Sequence, residues 1–465
     1  MGWAVSRRGN PPGRIAIVSA IFLLTVIFSA QMVQAKTNDG LYDEISAYLE
    51  TCAENAHVPA MSVTIVDSDN VLLSKSYGGC ENCDTPFVLG SVSKSFTAVC
   101  VMQLAERGKI DLNANIAAYL PGAAEGDRIT VRQLLKHTSG LGEHQTLQNY
   151  RIVNKQGVHA YANVNYSLLG KIIEEVSGQS YGDFITENLF QPLGLSHTAA
   201  TRGESEKNGL IEGYANYWGF HAKKNHQYPS SERDWIMVPA GYISASTNDL
   251  GKYLQMYLNG GNGILSEQSV ETMFYGDTVF VDADTPYWYG YGWTMVKEPF
   301  SEPVLRHAGL VETGTSCVFI LPERGLAVAV TADVNDYFVT NPLLDQMGWG
   351  VVSMLLGEKP VEIAGYAYAL RHIGIDSLML AVFAAAVMTL RRACRVKGRK
   401  KGRAVWTLTA LHFLSAGFLL AFVPVVFRTP LWVARDFAPD AFVTVIASST
   451  LVFVGGIVKC LRLRK

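Results

Sequence analysis

Val304-Leu305-Arg306-His307-Ala308-Gly309-Leu310-Val311-Glu312-Thr313-Gly314-Thr315-Ser316-Cys317-Val318-Phe319-Ile320-Leu321-Pro322-Glu323-Arg324-Gly325-Leu326-Ala327-Val328-Ala329-Val330-Thr331 is the stretch on which the fold turns. Residues 304–307, 315–321 and 326–331 read as consecutive strands, rich in β-branched and aromatic side chains, with Pro322-Glu323-Arg324-Gly325 turning the chain between the last two. Residues 291–296, just upstream, read the same way. Near the other end, residues 59–66 and 71–77 flank Asp67-Ser68-Asp69-Asn70, a turn sequence, and so form a hairpin. Between these strands the chain is mainly helical in pattern, over 41–55, 91–108, 130–136, 167–177 and 248–258, with a closing helix over 342–356. The distribution predicts an α+β domain. A single antiparallel sheet is completed by both ends of the chain and flanked by the helices between them.

The chain of 465 residues carries 39 Lys and Arg against 41 Asp and Glu, a net charge of −2, which gives no reason to expect a nucleic-acid partner. That average hides the two ends. Arg7, Arg8 and Arg14 precede an apolar run over 15–28, and Val33-Gln34-Ala35 offers the small residues of a cleavage site. Residues 1–35 are thus a signal peptide or an uncleaved signal anchor. Residues 373–390, 405–427 and 441–458 are apolar enough, and long enough or nearly so, to cross a bilayer as helices, the first being the shortest and carrying Asp376 near its outer end. Basic residues fill 391–403, and Lys459, Arg462, Arg464 and Lys465 follow the third helix. The positive-inside rule puts both basic segments and the N-terminal arginines in the cytoplasm. The expectation is a multi-pass protein of the cell membrane, with an extracytoplasmic domain over 36–360 and a membrane domain over 361–465.

Seven cysteines are distributed across both regions. Cys394 and Cys460 fall on the cytoplasmic side and are expected to stay reduced. Cys80-Glu81-Asn82-Cys83 has no second cysteine pair or histidine cluster to make a metal site, so a surface disulfide, local or from Cys52 to either of the pair, is expected. Cys100 and Cys317 lie in apolar surroundings and read as packing residues. No metal or organic cofactor is implied.

Three short stretches carry candidate chemistry. Ser91-Val92-Ser93-Lys94 stands at the start of an amphipathic helix, where residues three apart share a face, so the Ser91 hydroxyl and the Lys94 amine can meet. A serine hydroxyl needs a base, and a lysine kept partly neutral can supply it. The alternative is an N-cap serine with an exposed lysine one turn on. In Tyr161-Ala162-Asn163, read as extended or looped, side chains two apart point the same way and can enter one cleft. Tyr161 can relay a proton, and Asn163 can hold a substrate amide. The alternative is a core aromatic beside a turn asparagine. His307-Ala308-Gly309 ends a predicted strand: Gly309 lets a substrate backbone approach, an N–H just beyond can complete an oxyanion hole, and His307 with Arg306 can meet a carboxylate.

Gly-Ser-Val-Ser-Lys-Ser-Phe-Thr-Ala at 90–98, Tyr-Ala-Asn-Val-Asn-Tyr-Ser-Leu-Leu-Gly at 161–170 and His-Ala-Gly at 307–309 resemble, in order, the Ser-x-x-Lys, Tyr-x-Asn and Lys/His-x-Gly elements of class C β-lactamases, D-alanyl-D-alanine peptidases and related esterases. The resemblance extends over most of 40–358 and takes in 134–141, Pro239-Ala240-Gly241 and 289–293. It implies a β-lactamase-like fold and an acyl-enzyme reaction. Ser91 would be the nucleophile, Lys94 and Tyr161 the acid/base pair with either as the base, and Asn163 the holder of the substrate amide. The N–H groups of Ser91 and Leu310 would form the oxyanion hole. His137-Thr138-Ser139-Gly140 is structural on this reading. Strong β-lactamases carry lysine where His307 stands, and a partly charged histidine is a weaker carboxylate clamp. That favours a peptidase, amidase or esterase over efficient β-lactam hydrolysis.

The export signal, outside hydrolase and three membrane helices also resemble membrane peptidases that remove an acylated D-amino-acid cap from secreted natural products. The expected substrate is a peptide, acyl-amide or ester that a lipid can carry. The other readings are a penicillin-recognising membrane sensor and a non-catalytic binding protein.

Overall fold

Residues 40–282, 286–396 and 403–464 are described by a computed structural model. The expected signal segment and residues 397–402 of the basic loop lie outside the described residues. Helix α1 covers residues 40–55, and the chain from Glu50 to Lys465 forms one unit.

The strands are β1 (Ala60–Val66), β2 (Val71–Gly78), β3 (Val279–Asp282), β4 (Tyr287–Tyr289), β5 (Thr294–Val296), β6 (Val304–Val311), β7 (Gly314–Leu321) and β8 (Leu326–Ala332). They form one sheet in the order β2-β1-β8-β7-β6-β5-β4-β3, antiparallel throughout. The two ends of the domain meet where Val63 of β1 lies opposite Val330 of β8. The expected α+β architecture is therefore present, with β3 and β4 added at the far edge. β4 falls among tyrosines and a tryptophan that sequence patterning left unassigned, and it is held by cross-strand partners rather than by alternation.

Every residue of β1 is buried, because both faces of this strand are covered. On one face Ser62 Oγ lies 2.5 Å from Thr247 Oγ1 of α4 (Thr247–Leu258), and Gly251 lets that helix sit close over Val66 and Thr64. On the other, Gly348 of α5 (Thr340–Leu355) rests against the Phe319 ring of β7. Ser246 caps α4 by accepting the Asp249 N–H.

Helix α2 (Ser93–Glu106) departs from the amphipathic expectation: Ser93 through Leu104 are all buried. It is a central helix, and its polar side chains are satisfied internally. Ser95 Oγ donates to the Val92 carbonyl, Thr97 Oγ1 to that of Pro239, and Ser93 Oγ accepts from the Ile243 N–H. Helix α3 (Asn163–Ser177) begins four residues earlier than its apolar pattern suggested, and ends at Gly178 in the left-handed conformation.

The cysteine expectation is corrected. Cys80 and Cys83 are buried free thiols, bonded neither to each other nor to Cys52. Cys80 Sγ donates to the Asn82 carbonyl at 3.3 Å, and burial pushes its pKa up to about 11.

Three helices follow that are long and apolar enough to cross a membrane, namely α6 (Ala367–Cys394), α7 (Arg403–Val426) and α9 (Pro439–Arg464). The short helix α8 (Leu431–Phe437) joins the last two. At 28 residues α6 is longer than its expected span, and Asp376 lies in its third turn with its carboxylate 3.4 Å from His372 Nδ1.

Candidate active site

Ser91 occupies a single 3₁₀ turn, Gly90–Val92, that runs straight into α2. Gly90 has a φ of 55°, and a Cβ there would lie 2.3 Å from the Leu310 nitrogen. Only glycine satisfies both constraints, and its absence of a side chain brings the Ser91 turn against β6.

One turn into the helix, Lys94 is wholly buried. Its Nζ donates to Ser91 Oγ at 2.9 Å, Asn163 Oδ1 at 2.7 Å and the Ala240 carbonyl at 2.7 Å. All three acceptors are neutral. Burial without a carboxylate holds the lysine pKa well below its ordinary value, although the Tyr161 ring 4.9 Å away favours the cation somewhat.

Tyr161 OH donates to the same Ser91 oxygen at 2.8 Å, and burial raises its pKa, so it stays a neutral phenol. Tyr161 precedes Ala162, an extended N-cap residue, while Asn163 is the first residue of α3. The two side chains therefore converge from the loop residue before the N-cap and from the helix start, not from one extended segment. The Ala162 N–H and the Asn165 side-chain amide both meet His137 Nδ1, at 3.2 and 2.9 Å. The His137 ring centroid lies 4.3 Å from that of Tyr161. This buried histidine ties the start of α3 down behind Tyr161.

His307 and Gly309 lie in the middle of β6, which runs on to Val311 rather than ending at His307. The strand pleat turns both toward the Ser91 side and Arg306 away. Arg306 pairs with Asp345 and lies over Trp349, so it does not join His307 as a carboxylate clamp. His307 is 5% exposed, with Nδ1 2.8 Å from the Ala308 carbonyl and Nε2 3.2 Å from Tyr289 OH. Burial, with Lys94 nearby, pushes its pKa down to about 3, which leaves a neutral imidazole. At Gly309 a Cβ would lie 1.8 Å from the Leu89 carbonyl oxygen, so the room expected for a substrate backbone is used first by the protein's own chain. Ser316 Oγ donates to that same carbonyl at 2.6 Å.

A cleft of about 460 Å³ opens over these groups, lined by Ser91, His159, Tyr161, Tyr289, His307 and Leu310 among others. Burial lowers the His159 pKa to about 4, so two neutral imidazoles face the cleft. Sequence reasoning gave no role to His159, Tyr289 or the Ala240 carbonyl. His159 sits just before the recognised 161–170 stretch, while Tyr289 and Ala240 lie inside recognised stretches whose roles the sequence left unassigned.

Residues 45–342 match the sequence model of the family described as Beta-lactamase. The chain belongs to the β-lactamase family. Members of this family are in general hydrolases, and the eight-stranded antiparallel sheet with its helices is that fold. The family member is similar to Protein flp of Staphylococcus aureus (strain MRSA252), at 25% identity over 338 residues that cover 65% of this chain and 65% of that protein. It is also similar to Teichoic acid D-alanine hydrolase of Staphylococcus aureus, at 32% identity over 200 residues, 38% of this chain and 49% of that one. The chain thus spans just under two thirds of the length of Protein flp. Among solved structures it resembles the octameric penicillin-binding protein homologue from Pyrococcus abyssi, with a TM-score of 0.61 and 25% identity over 71% of this chain and 80% of that one. The fold is shared as well by the D-stereospecific amidohydrolase from Streptomyces sp., with a TM-score of 0.52 and 21% identity over 63% and 94% of the two chains.

Proposed function

We propose that this protein is a membrane-anchored serine hydrolase that cleaves an amide or ester through an acyl-Ser91 intermediate. The observation that carries the reading is the convergence of the Lys94 amine and the Tyr161 phenol on Ser91 Oγ, with no carboxylate among the described residues bonded to the lysine. Burial favours a neutral amine at Lys94, whose two N–H groups then serve Asn163 and Ala240 while its lone pair takes the Ser91 proton, and a neutral phenol at Tyr161, which supports Lys94 as the base and Tyr161 as the relay. Ser91 Oγ attacks the carbonyl carbon while its proton passes to Lys94. The oxyanion is held by the Ser91 and Leu310 N–H groups. The proton then moves through Tyr161 to the leaving amine or alcohol as the bond to it breaks. Water, deprotonated by the same pair, hydrolyses the acyl ester and restores the serine. Asn163 keeps Lys94 aimed through its Oδ1, and its amide N–H can meet the substrate.

The neutral His307 and His159 favour a substrate with no carboxylate at that end of the cleft. Together with the D-alanine hydrolase relative, this supports an ester or amide of a D-amino acid, with efficient β-lactam turnover disfavoured. The three apolar helices and their basic flanks support a catalytic domain outside the cell and a substrate near the bilayer, peptide or lipid-linked.

The test is labelling of the purified full chain with a fluorescent fluorophosphonate and, separately, a fluorescent penicillin, beside Ser91→Ala. Fluorophosphonate labelling that vanishes in the variant is expected. An unlabelled but folded wild type would remove the activated serine. Strong penicillin labelling would move the substrate toward carboxylate-bearing cell-wall peptides.

A further inference from the structure

Helix α8, between the second and third membrane helices, packs against the hydrolase domain through specific atoms. The Trp432 ring meets Trp235 edge-on at 5.4 Å between centroids, and the Phe437 ring meets the same tryptophan at 6.0 Å. The last carbonyls of a helix lack partners within it. Here two are satisfied from the hydrolase domain: Lys224 Nζ donates to the Asp436 carbonyl at 2.9 Å, and Asn335 Nδ2 to the Phe437 carbonyl at 3.1 Å.

Both contacts lead to the Ser91 cleft. Trp235 begins the segment that continues through Val238–Gly241, where the Ala240 carbonyl accepts from Lys94 and the Pro239 carbonyl from Thr97 of α2. Asn335, 1% exposed, accepts from Asn341 Nδ2 at 2.8 Å through its Oδ1. Asn341 Oδ1 in turn accepts from Thr315 Oγ1 at 3.2 Å, and Thr315 and Asn341 line the cleft. Beside them, His372 of α6 lies 3.0 Å from Asp336, whose carboxylate also accepts from Thr340 at the start of α5. Phe437 thus touches both arms, by its ring on the Lys94 side and by its carbonyl on the cleft-wall side.

We propose that α8 is a brace that sets the geometry of the cleft, with Trp432 and Asn335 as positioning residues, so that acylation depends on the membrane region being docked. The proposal rests on the acyl-Ser91 reading. A helix that served only as a tether would need neither a buried amide on its final carbonyl nor a tryptophan pair behind the lysine's acceptor. Displacement of a reacting group by about 1 Å can cost on the order of a hundredfold in rate, so modest slack in either arm is enough to be read.

The test uses the full chain in lipid nanodiscs and the rate of fluorophosphonate acylation against concentration and pH. In Trp432→Ala the second-order rate is expected to fall about tenfold or more and its acid limb to move, because that arm ends at Lys94. Trp432→Phe, which keeps a ring, is expected to restore both. Asn335→Ala is expected to weaken probe binding with the acid limb in place, because that arm ends at the cleft wall. It also removes a single amide, so it decides the matter if Trp432→Ala does not fold. Wild-type rates and limb in a folded Asn335→Ala and Trp432→Ala would overturn the brace and leave acyl-Ser91 standing. Wild type labelled at no serine would overturn both.

Discussion

On the proposed acyl-Ser91 reading, Lys94 is the residue whose state decides the chemistry. A lysine with three neutral acceptors and no exposed surface holds its proton less tightly than one in water. Acylation is therefore expected to rise with pH along a limb below the ordinary lysine value of 10.5. The same shift acts on stability. Between the lowered pKa and the ordinary one, the unfolded chain binds a proton that the folded chain does not, so stability rises with pH across that window. Lys94→Met removes this linkage. Its melting temperature, compared with wild type over a pH series, is expected to lose ground steadily as the pH is raised, and its acylation to be about 10²–10⁴-fold slower at every pH. A pH-independent melting gap would mean that Lys94 stays charged in the fold. At this scale the meeting of Ser91, Lys94 and Tyr161 was legible from short patterns. The neutral state of His307 was not, because it comes from burial and from Lys94, which stands more than two hundred residues away in the chain.

Among the elements, β6 and the turn before α2 define the site together. Gly309 and Gly90 are glycines because each meets the other's backbone, one against the Leu89 carbonyl and the other against the Leu310 nitrogen. Gly309→Ala places a methyl inside that contact, where neither strand nor turn is a flexible side chain end. A loss toward the upper part of about 1–3 kcal/mol is expected, read as a lower melting temperature, with acylation falling alongside because Ser91 and the Leu310 N–H separate. An alanine variant as stable and active as wild type would show that the two backbones are not in contact. The strand positions of β7 and β8 inside the β-lactamase-like domain were legible, since both carry β-branched sequence. The start of α3 was not. Asn163-Val164-Asn165 is poor helix sequence, and it is the His137 ring that holds it in place.

Across the whole molecule, the proposed topology has a direct handle in Cys394, which is exposed at the end of α6. If the basic segments lie in the cytoplasm, a membrane-impermeant maleimide is expected to label Cys394 only after cells are permeabilised, with Cys394→Ser as the control. Labelling in intact cells would reverse the orientation and put the Ser91 cleft inside. The sequence by itself determined the antiparallel α+β domain, the three apolar helices and the candidates Ser91, Lys94 and Tyr161 that the fold brings together, because periodicity, length and short-range spacing are properties of neighbouring residues. The tertiary structure alone decided that α2 is buried on every side, that Cys80 and Cys83 stay unbridged, that Arg306 turns away from the cleft and that α8 docks on Trp235 and Asn335. Each of these depends on what lies across a contact between distant parts of the chain. Burial, pairing and lowered pKa values belong to such contacts and not to any segment read alone.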